Sequence, residues 1–272
     1  MKHLLRSEPQ LERRPLLVGV VHLQALPGAP CFGGSMEAVV DAAQRDGRAL
    51  VEGGCDAVIV ENFGDVPFYP GRVPAETVAA MALCVRGVAE VAGGRPYGVN
   101  VLRNDAASAL GLCAATGASF LRVNVHTSAA VTDQGLLEGR AFETLRERQR
   151  LCPEVALLAD VHVKHASPLG SESAAEAAAD CLRRALADAV LVTGAGTGRA
   201  PSREVLGHVR RTVGEAPVLI GSGLTDANAG RLLEVADGAI VGSAFKPDGR
   251  IEEPIDPERV RRLRELLDEL RA

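Results

Sequence analysis

The sequence predicts an α/β protein, a single closed (β/α)₈ barrel spanning 1–272 with residues 1–15 as an N-terminal extension. Three observations predict it. Apolar, β-branched runs recur about every 20–40 residues, and near-continuous hydrophobicity marks parallel strands covered on both faces. Amphipathic, Ala-rich stretches alternate with them, so that strand and helix count out eight times. Three runs in the C-terminal half, AVLVTGAGTG (189–198), PVLIGSG (217–223) and GAIVGSAFK (238–246), end in glycine-rich turns of the kind that cradle a phosphate. An open doubly wound sheet is the structural alternative.

In chain order, strands are expected near 16–22, 56–61, 97–102, 119–125, 155–161, 188–193, 217–221 and 238–242. Helices are expected over 36–53, 74–92, 105–116, 137–151, 173–185, 201–213, 225–235 and 256–271. Pro74 with Glu76 suits a first helical turn; Asp105, Thr225 or Asp226 can cap a helix; Asp256 before Pro257 is a strong start. Gly53–Gly54, Gly93–Gly94 and Gly117 stand where helices should end. The phrases GGCDAVIVE, TGASFLRVN, ALADAVLVT and EVADGAIVG resemble one another, as if one unit of helix end, turn and strand were used repeatedly.

Composition narrows the function classes. Hydrophobic residues at 47% and charged residues at 24% suit a folded enzyme and argue against disorder. A net charge of −5, 3% aromatics and no Trp leave neither a basic footprint nor a stacking platform for nucleic acid. The six cysteines stand singly with no CxxC, which points to buried free thiols in a reduced, cytoplasmic protein. No apolar stretch reaches the roughly 20 residues of a membrane span, and the N-terminus lacks a signal-peptide core. Only Lys2, Lys164 and Lys246 are lysine, and the last two follow expected strands, where arginine cannot replace a compact charge or a deprotonated amine.

Active sites of this fold lie at the C-terminal strand ends. The polar residues there are His22, Glu61, Asn100, Arg103, Arg122, Asn124, Asp160, His162, Lys164 and Thr193. Alternation puts Arg122 and Asn124 on one face, and Asp160, His162 and Lys164 on one face if the strand runs that far. Arg122 inside an apolar strand needs a partner, for which Glu61 and Asp160 are candidates. A buried salt-bridge layer is the structural reading of this set. In the functional reading Glu61 or Asp160 is the base, His162 the acid, and Lys164 and Arg122 stabilise developing negative charge. His22, Asn100, Arg103, Arg122, Asn124 and Thr193 are then substrate contacts. Lys164 could alternatively form a Schiff base, clamp an anion or make a structural ion pair. Gly194, Gly196, Thr197, Gly198, Gly221, Ser222, Gly223, Gly242 and Ser243 are expected to bind phosphate through the backbone. GAGTG is no Walker A motif, since no Lys-Ser/Thr follows. His22, His162 and Asp160 could ligate a divalent metal, but they lack the double-His strand signature of metal-dependent hydrolases, and no metal is assigned.

The motifs VIVENFGDVPF (58–68), GVNVLRNDA (98–106), FLRVNV (120–125), TDQGLLEG (132–139), ADVHVKHASPL (159–169), VTGAGTG (192–198) and GSGLTDAN (221–228) resemble the BtpA/SgcQ family along the whole chain. The resemblance implies a barrel like the ribulose-phosphate-binding barrels. It assigns no catalytic residues. One branch of that family is named for photosystem I biogenesis and another is encoded with sugar uptake and metabolism proteins. His126-Thr127-Ser128 departs from the expected smaller, Gly-containing loop. The expectation is an isomerase or lyase acting on a small phosphorylated metabolite, such as a sugar or nucleoside phosphate. The alternatives are a non-catalytic assembly or stability factor and a metal-assisted hydrolase. Association into a homo-oligomer is left open.

Overall fold

The computed structural model describes residues 14–270 apart from 195 and 197. The expected N-terminal extension up to residue 13, and residue 271 of the last expected helix, lie outside the described residues. The apolar runs become strands and the Ala-rich stretches become helices. The first half runs β1 (Leu16–His22), α1 (Met36–Glu52), β2 (Ala57–Glu61), α2 (Ala75–Val91), β3 (Tyr97–Asn100), α3 (Ala106–Thr116), β4 (Phe120–Val123), β5 (Ala129–Thr132), β6 (Gly135–Glu138) and α4 (Ala141–Leu151). The second runs β7 (Ala156–Val161), β8 (Ala166–Pro168), α5 (Ala174–Arg183), β9 (Ala189–Val192), α6 (Arg203–Val213), β10 (Val218–Ile220), α7 (Ala229–Leu232), β11 (Gly238–Val241) and α8 (Pro257–Glu269).

Eight of these strands close into a parallel barrel in the order β1-β11-β10-β9-β7-β4-β3-β2. Its interior is filled by one side of each strand, including Leu16, Val18, Ile59, Phe120, Leu158, Leu191, Leu219 and Ile240. The other side packs outward on the helices in a larger apolar layer. Gly98 on β3 shows how tightly the interior is filled: a Cβ there would fall 2.4 Å from the Phe120 ring, so only glycine leaves room for that ring. Helix starts follow local chemistry. Ser35, Asp105, Ser202 and Asp256 accept from first-turn amides, and Ser173 with Glu176 forms a capping box.

Two expectations fail. Residues 137–140 do not begin a helix. Ala129–Thr132 and Gly135–Glu138 form an antiparallel hairpin, and Ala166–Pro168 adds to it as a third strand. The turn Asp133-Gln134-Gly135, with Gly135 at φ 98°, reverses the chain, and α4 starts only at Ala141. The helix expected over 225–235 shrinks to Ala229–Leu232, because Asn228 Oδ1 accepts from the Thr225 amide at 2.9 Å and fixes a turn there instead.

The recurring sequence phrase has a physical counterpart at the N-terminal end of the barrel. Asp56, Asp188 and Asp237 each precede a strand, and each carboxylate accepts the first amides of the strand beside it: Leu17, Leu157 and Val218, all at 2.8 Å. Each also binds an arginine: Arg264, Arg148 and Arg210 respectively. The fourth phrase, TGASFLRVN, carries Ser119 in place of Asp, bonded to the Tyr97 carbonyl. Among the described residues no helix is long and apolar enough to cross a membrane.

Candidate active site

His22 pairs in register with Glu61, and Glu61 with Asn100. Residues in register on parallel strands share a face, so these three side chains cap the apolar interior in one layer. Arg122 on β4 and Asp160 on β7 complete it. The Arg122 guanidinium donates from Nε and Nη2 to the two Asp160 oxygens, each at 3.0 Å, and from Nη1 to Glu61 Oε1 at 3.1 Å. Asn100 Nδ2 also donates to Glu61 Oε1, at 3.1 Å, and Asn124 Nδ2 to Asp160 Oδ2, at 2.8 Å. The Arg122, Glu61 and Asp160 side chains are at most 3% exposed. Charges this deep persist only with such partners. Asp160 has both oxygens engaged. Glu61 leaves its second oxygen outside these bonds.

One arginine between two carboxylates leaves the layer net negative, and the Lys164 ammonium compensates from above. That ammonium donates no hydrogen bond among the described residues and lies 6.0 Å from the centre of the Phe63 ring. Burial, then Arg122, lowers the Lys164 pKa. Burial would raise the Glu61 pKa, but Arg122, Lys164 and His22 together carry it below the usual carboxylate range. Burial pulls His22 down to about 4 and keeps it neutral. Its ring meets Phe63 edge-on at 4.8 Å, and its Nδ1 has no partner among the described residues.

Two adjoining hollows share Glu61, Arg122 and Lys164 in their walls. A mouth cavity of about 140 Å³ extends to Phe63, Phe68, Asn100, Arg103, Asn124, Asp133 and His165. A smaller recess is lined by His22, Gly198, Gly221, Ser222, Gly223, Gly242 and Ser243. The part of its wall formed by Gly221–Gly223 and Gly242 is mostly backbone. Gly223 sits at φ 78°, where a Cβ would fall 2.2 Å from the Ala200 amide nitrogen, so the loops after β9 and β10 touch main chain to main chain. The amides of Ser222, Gly223 and Ser243 donate no hydrogen bond among the described residues.

Several expected site residues stand elsewhere. β7 ends at Val161, and His162 turns to φ 49°. It therefore departs from the alternation of β7 and lines, not the mouth, but a side cavity under the β5–β6 hairpin that Asn124, Asp160 and Cys181 also line. Lys164 returns to the mouth. Thr193 spends its hydroxyl on the His162 carbonyl, at 3.1 Å, and supports that loop without lining either hollow. Gly194 packs against the Arg199–Ala200 backbone, and Gly196 lies beside His165; neither lines the recess. Thr197 lies outside the described residues. Lys246 is 2% exposed and ties down the chain after β11, donating to the Ile251 and Glu253 carbonyls and pairing with Asp46. His22, His162 and Asp160 do not converge. Among the described residues no group of three or more His, Cys, Asp or Glu could hold a metal.

The cavity also contains residues the sequence reading passed over. Phe63 and Phe68 form a wall from the loop after β2, and Asp133 reaches it from the hairpin tip. The phenylalanines had a signal in ENFGDVPF, directly after a strand end. Asp133 had none until the hairpin was known.

Comparison with known proteins places the chain in a family and agrees with the barrel fold. The BtpA family model matches residues 13–269. The photosystem I biogenesis protein BtpA of Synechocystis is 46% identical over 244 residues, covering 90% of this chain and 85% of that protein. An uncharacterized protein of Thermococcus kodakarensis is 45% identical over 260 residues, covering 96% and 97%. Among solved structures, thiamine phosphate pyrophosphorylase from Pyrococcus furiosus superposes with a TM-score of 0.61, covering 97% of this chain and 100% of that one. At 16% identity that likeness is one of fold.

Proposed function

The chain belongs to the BtpA family, and from that premise we propose that it is an isomerase- or lyase-type enzyme acting on a small phosphorylated metabolite, such as a sugar or nucleoside phosphate. One observation carries the reading: Lys164, Glu61 and Arg122 lie in the wall common to the backbone-lined recess and the mouth cavity. A phosphate held by the amides of Ser222, Gly223 and Ser243 would place the rest of its molecule against a carboxylate and an ammonium. The structural neighbour from Pyrococcus is likewise named for a phosphate-bearing molecule.

In this reading Glu61, ionised because Arg122 holds its pKa down, takes a proton from a carbon next to a carbonyl. The electron pair moves onto the carbonyl oxygen, and the Lys164 ammonium stabilises the oxyanion. Lys164 gives that oxyanion a proton and takes the proton of the hydroxyl on the adjacent carbon, whose oxygen becomes the new carbonyl, and Glu61 returns its proton to the former carbonyl carbon, which completes an isomerisation. Asp160 fixes Arg122, and Arg122 fixes Glu61. Burial raises the Cys84 thiol to about 12 and Cys181 to about 11, so neither competes as a nucleophile. Such thiols suit the reducing cytoplasm, where these metabolites are found.

Two measurements test it. Calorimetry with inorganic phosphate should show millimolar binding or tighter, about tenfold or more weaker in Ser243→Asp and unchanged in Ser243→Ala. Unchanged affinity in Ser243→Asp removes the recess from the reading. NMR in D₂O across a set of phosphorylated carbonyl compounds should show solvent deuterium entering a ligand, and Glu61→Gln should abolish the exchange. A non-catalytic assembly factor, as the name of the Synechocystis relative suggests, is favoured by the Arg122 layer, which engages both Asp160 oxygens and one of Glu61. That reading predicts no exchange with any ligand.

A further inference from the structure

Three arginines are buried among the described residues: Arg103, Arg122 and Arg264. Two have carboxylates. Arg122 has Glu61 and Asp160, and Arg264 has Asp56 and Asp268. Arg103, 4% exposed, has no carboxylate within 4.0 Å among the described residues. Its Nη2 donates to the Lys164 carbonyl at 2.6 Å. Its Nε and Nη1 have no hydrogen-bond partner among the described residues, yet they are not among the buried atoms sealed from solvent. Arg103 lines the mouth cavity. A guanidinium withdrawn from water and left without a counter-anion is unfavourable unless something else supplies the charge.

We infer that Arg103 receives a second anionic group of the substrate, a carboxylate, while the phosphate occupies the glycine recess on the other side of Lys164. The inference rests on the phosphate reading above and narrows it to phosphorylated carboxylic acids. The bond to the Lys164 carbonyl uses one of the two Nη2 hydrogens; the other lies parallel to the N–H of either Nε or Nη1, and that two-donor edge matches the two oxygens of a carboxylate. The bond from Arg103 to the Lys164 backbone sets the fork beside the ammonium, so the carbon chain joining the two anions passes Lys164 and Glu61. Two carboxylates compete for the fork. Glu61 is held by Arg122 and Asn100. Asp133, on the exposed hairpin tip, lies beyond 4.0 Å and bonds Gln134. Neither closes on Arg103.

The test compares 6-phosphogluconate with glucitol 6-phosphate, which differ only by a carboxylate in place of a hydroxymethyl group. Calorimetry on the wild-type protein should show the acid binding about tenfold tighter or more, the worth of a bidentate charge-assisted contact. Arg103→Gln should abolish that preference and leave the affinity for inorganic phosphate unchanged. Equal binding of the two ligands by the wild type, or the same preference in Arg103→Gln, overturns the inference. Should Arg103→Gln not fold, Asp133→Asn decides. Removing that nearby negative charge from an exposed tip should raise the preference for the acid about two- to threefold, and no change overturns the inference. Inorganic phosphate separates the two readings. If it fails to bind the wild type, the phosphate reading falls, and gluconate alone then decides: binding that is lost in Arg103→Gln upholds the carboxylate site, and no binding overturns it.

Discussion

Replacing Asp160 by asparagine tests whether the polar layer holds the barrel together as well as serving its chemistry. The change is isosteric and opens no cavity. In the native protein the two Asp160 oxygens accept from Arg122 Nε, Arg122 Nη2 and Asn124 Nδ2 at 2.8–3.0 Å. An amide offers one oxygen, and its nitrogen must then face a donor. The arginine keeps Glu61 but loses half of its charge compensation. Breaking a buried pair in this way costs about 3–5 kcal/mol. For a chain of this length each kcal/mol shifts Tm by roughly 2–4 °C, so the melting point should fall by about 10 °C. Thermal and urea denaturation followed by circular dichroism measure it. A cycle with Arg122→Met isolates the pair and should show a coupling of about 2–3 kcal/mol. A Tm within about 2 °C of wild type, or strictly additive single variants, would refute the layer as a stabilising unit.

Lys164→Met, by contrast, removes an ammonium with no hydrogen bond among the described residues; its Tm should stay within about 2 °C of wild type, while the deuterium exchange catalysed by the wild type falls at least ~10²-fold. Exchange should be constant where Glu61 is ionised and Lys164 protonated, falling in acid as Glu61 gains its proton and in alkali as Lys164 loses its own; a profile without the acid limb excludes Glu61 as the base. His22 gives stability an acid dependence. Its folded pKa, about 4, lies below the unfolded 6.5, so its contribution is complete above pH 6.5 and is lost as pH falls towards 4, roughly 3 kcal/mol at most and less for a ring that partly faces the recess. Urea midpoints for the wild type and His22→Gln between pH 7 and 4.5 should converge on acidification, and parallel curves argue against a neutral His22. Gly98→Ala should cost about 1–3 kcal/mol or more by driving a methyl into the Phe120 ring; Phe120→Leu should restore part of it, since the Phe120 carbonyl also lies 2.6 Å from the new carbon, and no recovery at all would place the strain in the backbone alone.

Much of the fold was legible because parallel strands must be apolar on both faces, and that pattern needs no tertiary information. The eight barrel strands and the capped helices follow from it directly. The hairpin was not legible: its strands, AAVT and GLLE, are short, and GLLE runs into a helical pattern that absorbs it. In the site, the partnership of Arg122 with Glu61 and Asp160 could be read from the implausibility of a lone charge in an apolar strand. The loss of His162 from the mouth could not, since alternation assumes a strand that continues, and β7 stops one residue earlier. Lys246 misled for a related reason: its position after a strand fits a phosphate contact, but two backbone carbonyls and Asp46 draw it inward. Arg103 was visible as a polar strand-end residue, whereas its lack of a carboxylate is a fact of three dimensions.

The aspartate clamps at the far end have a consequence for how such a barrel can change. Each joins a strand to the one beside it: Asp56 holds β1, Asp188 holds β7 and Asp237 holds β10. The first of them takes Arg264 from the last helix, which also binds the Pro15 carbonyl, so α8 is riveted to the start of β1. Closure of the ring is thus secured at the opposite rim from Lys164 and Arg103. Changes at distant sites add independently. The loops of the mouth can therefore be remodelled, by mutation or by recombination of whole βα units, without renegotiating how the ring is closed; the rim that carries the hollows is free to vary while its foundations stay as they were.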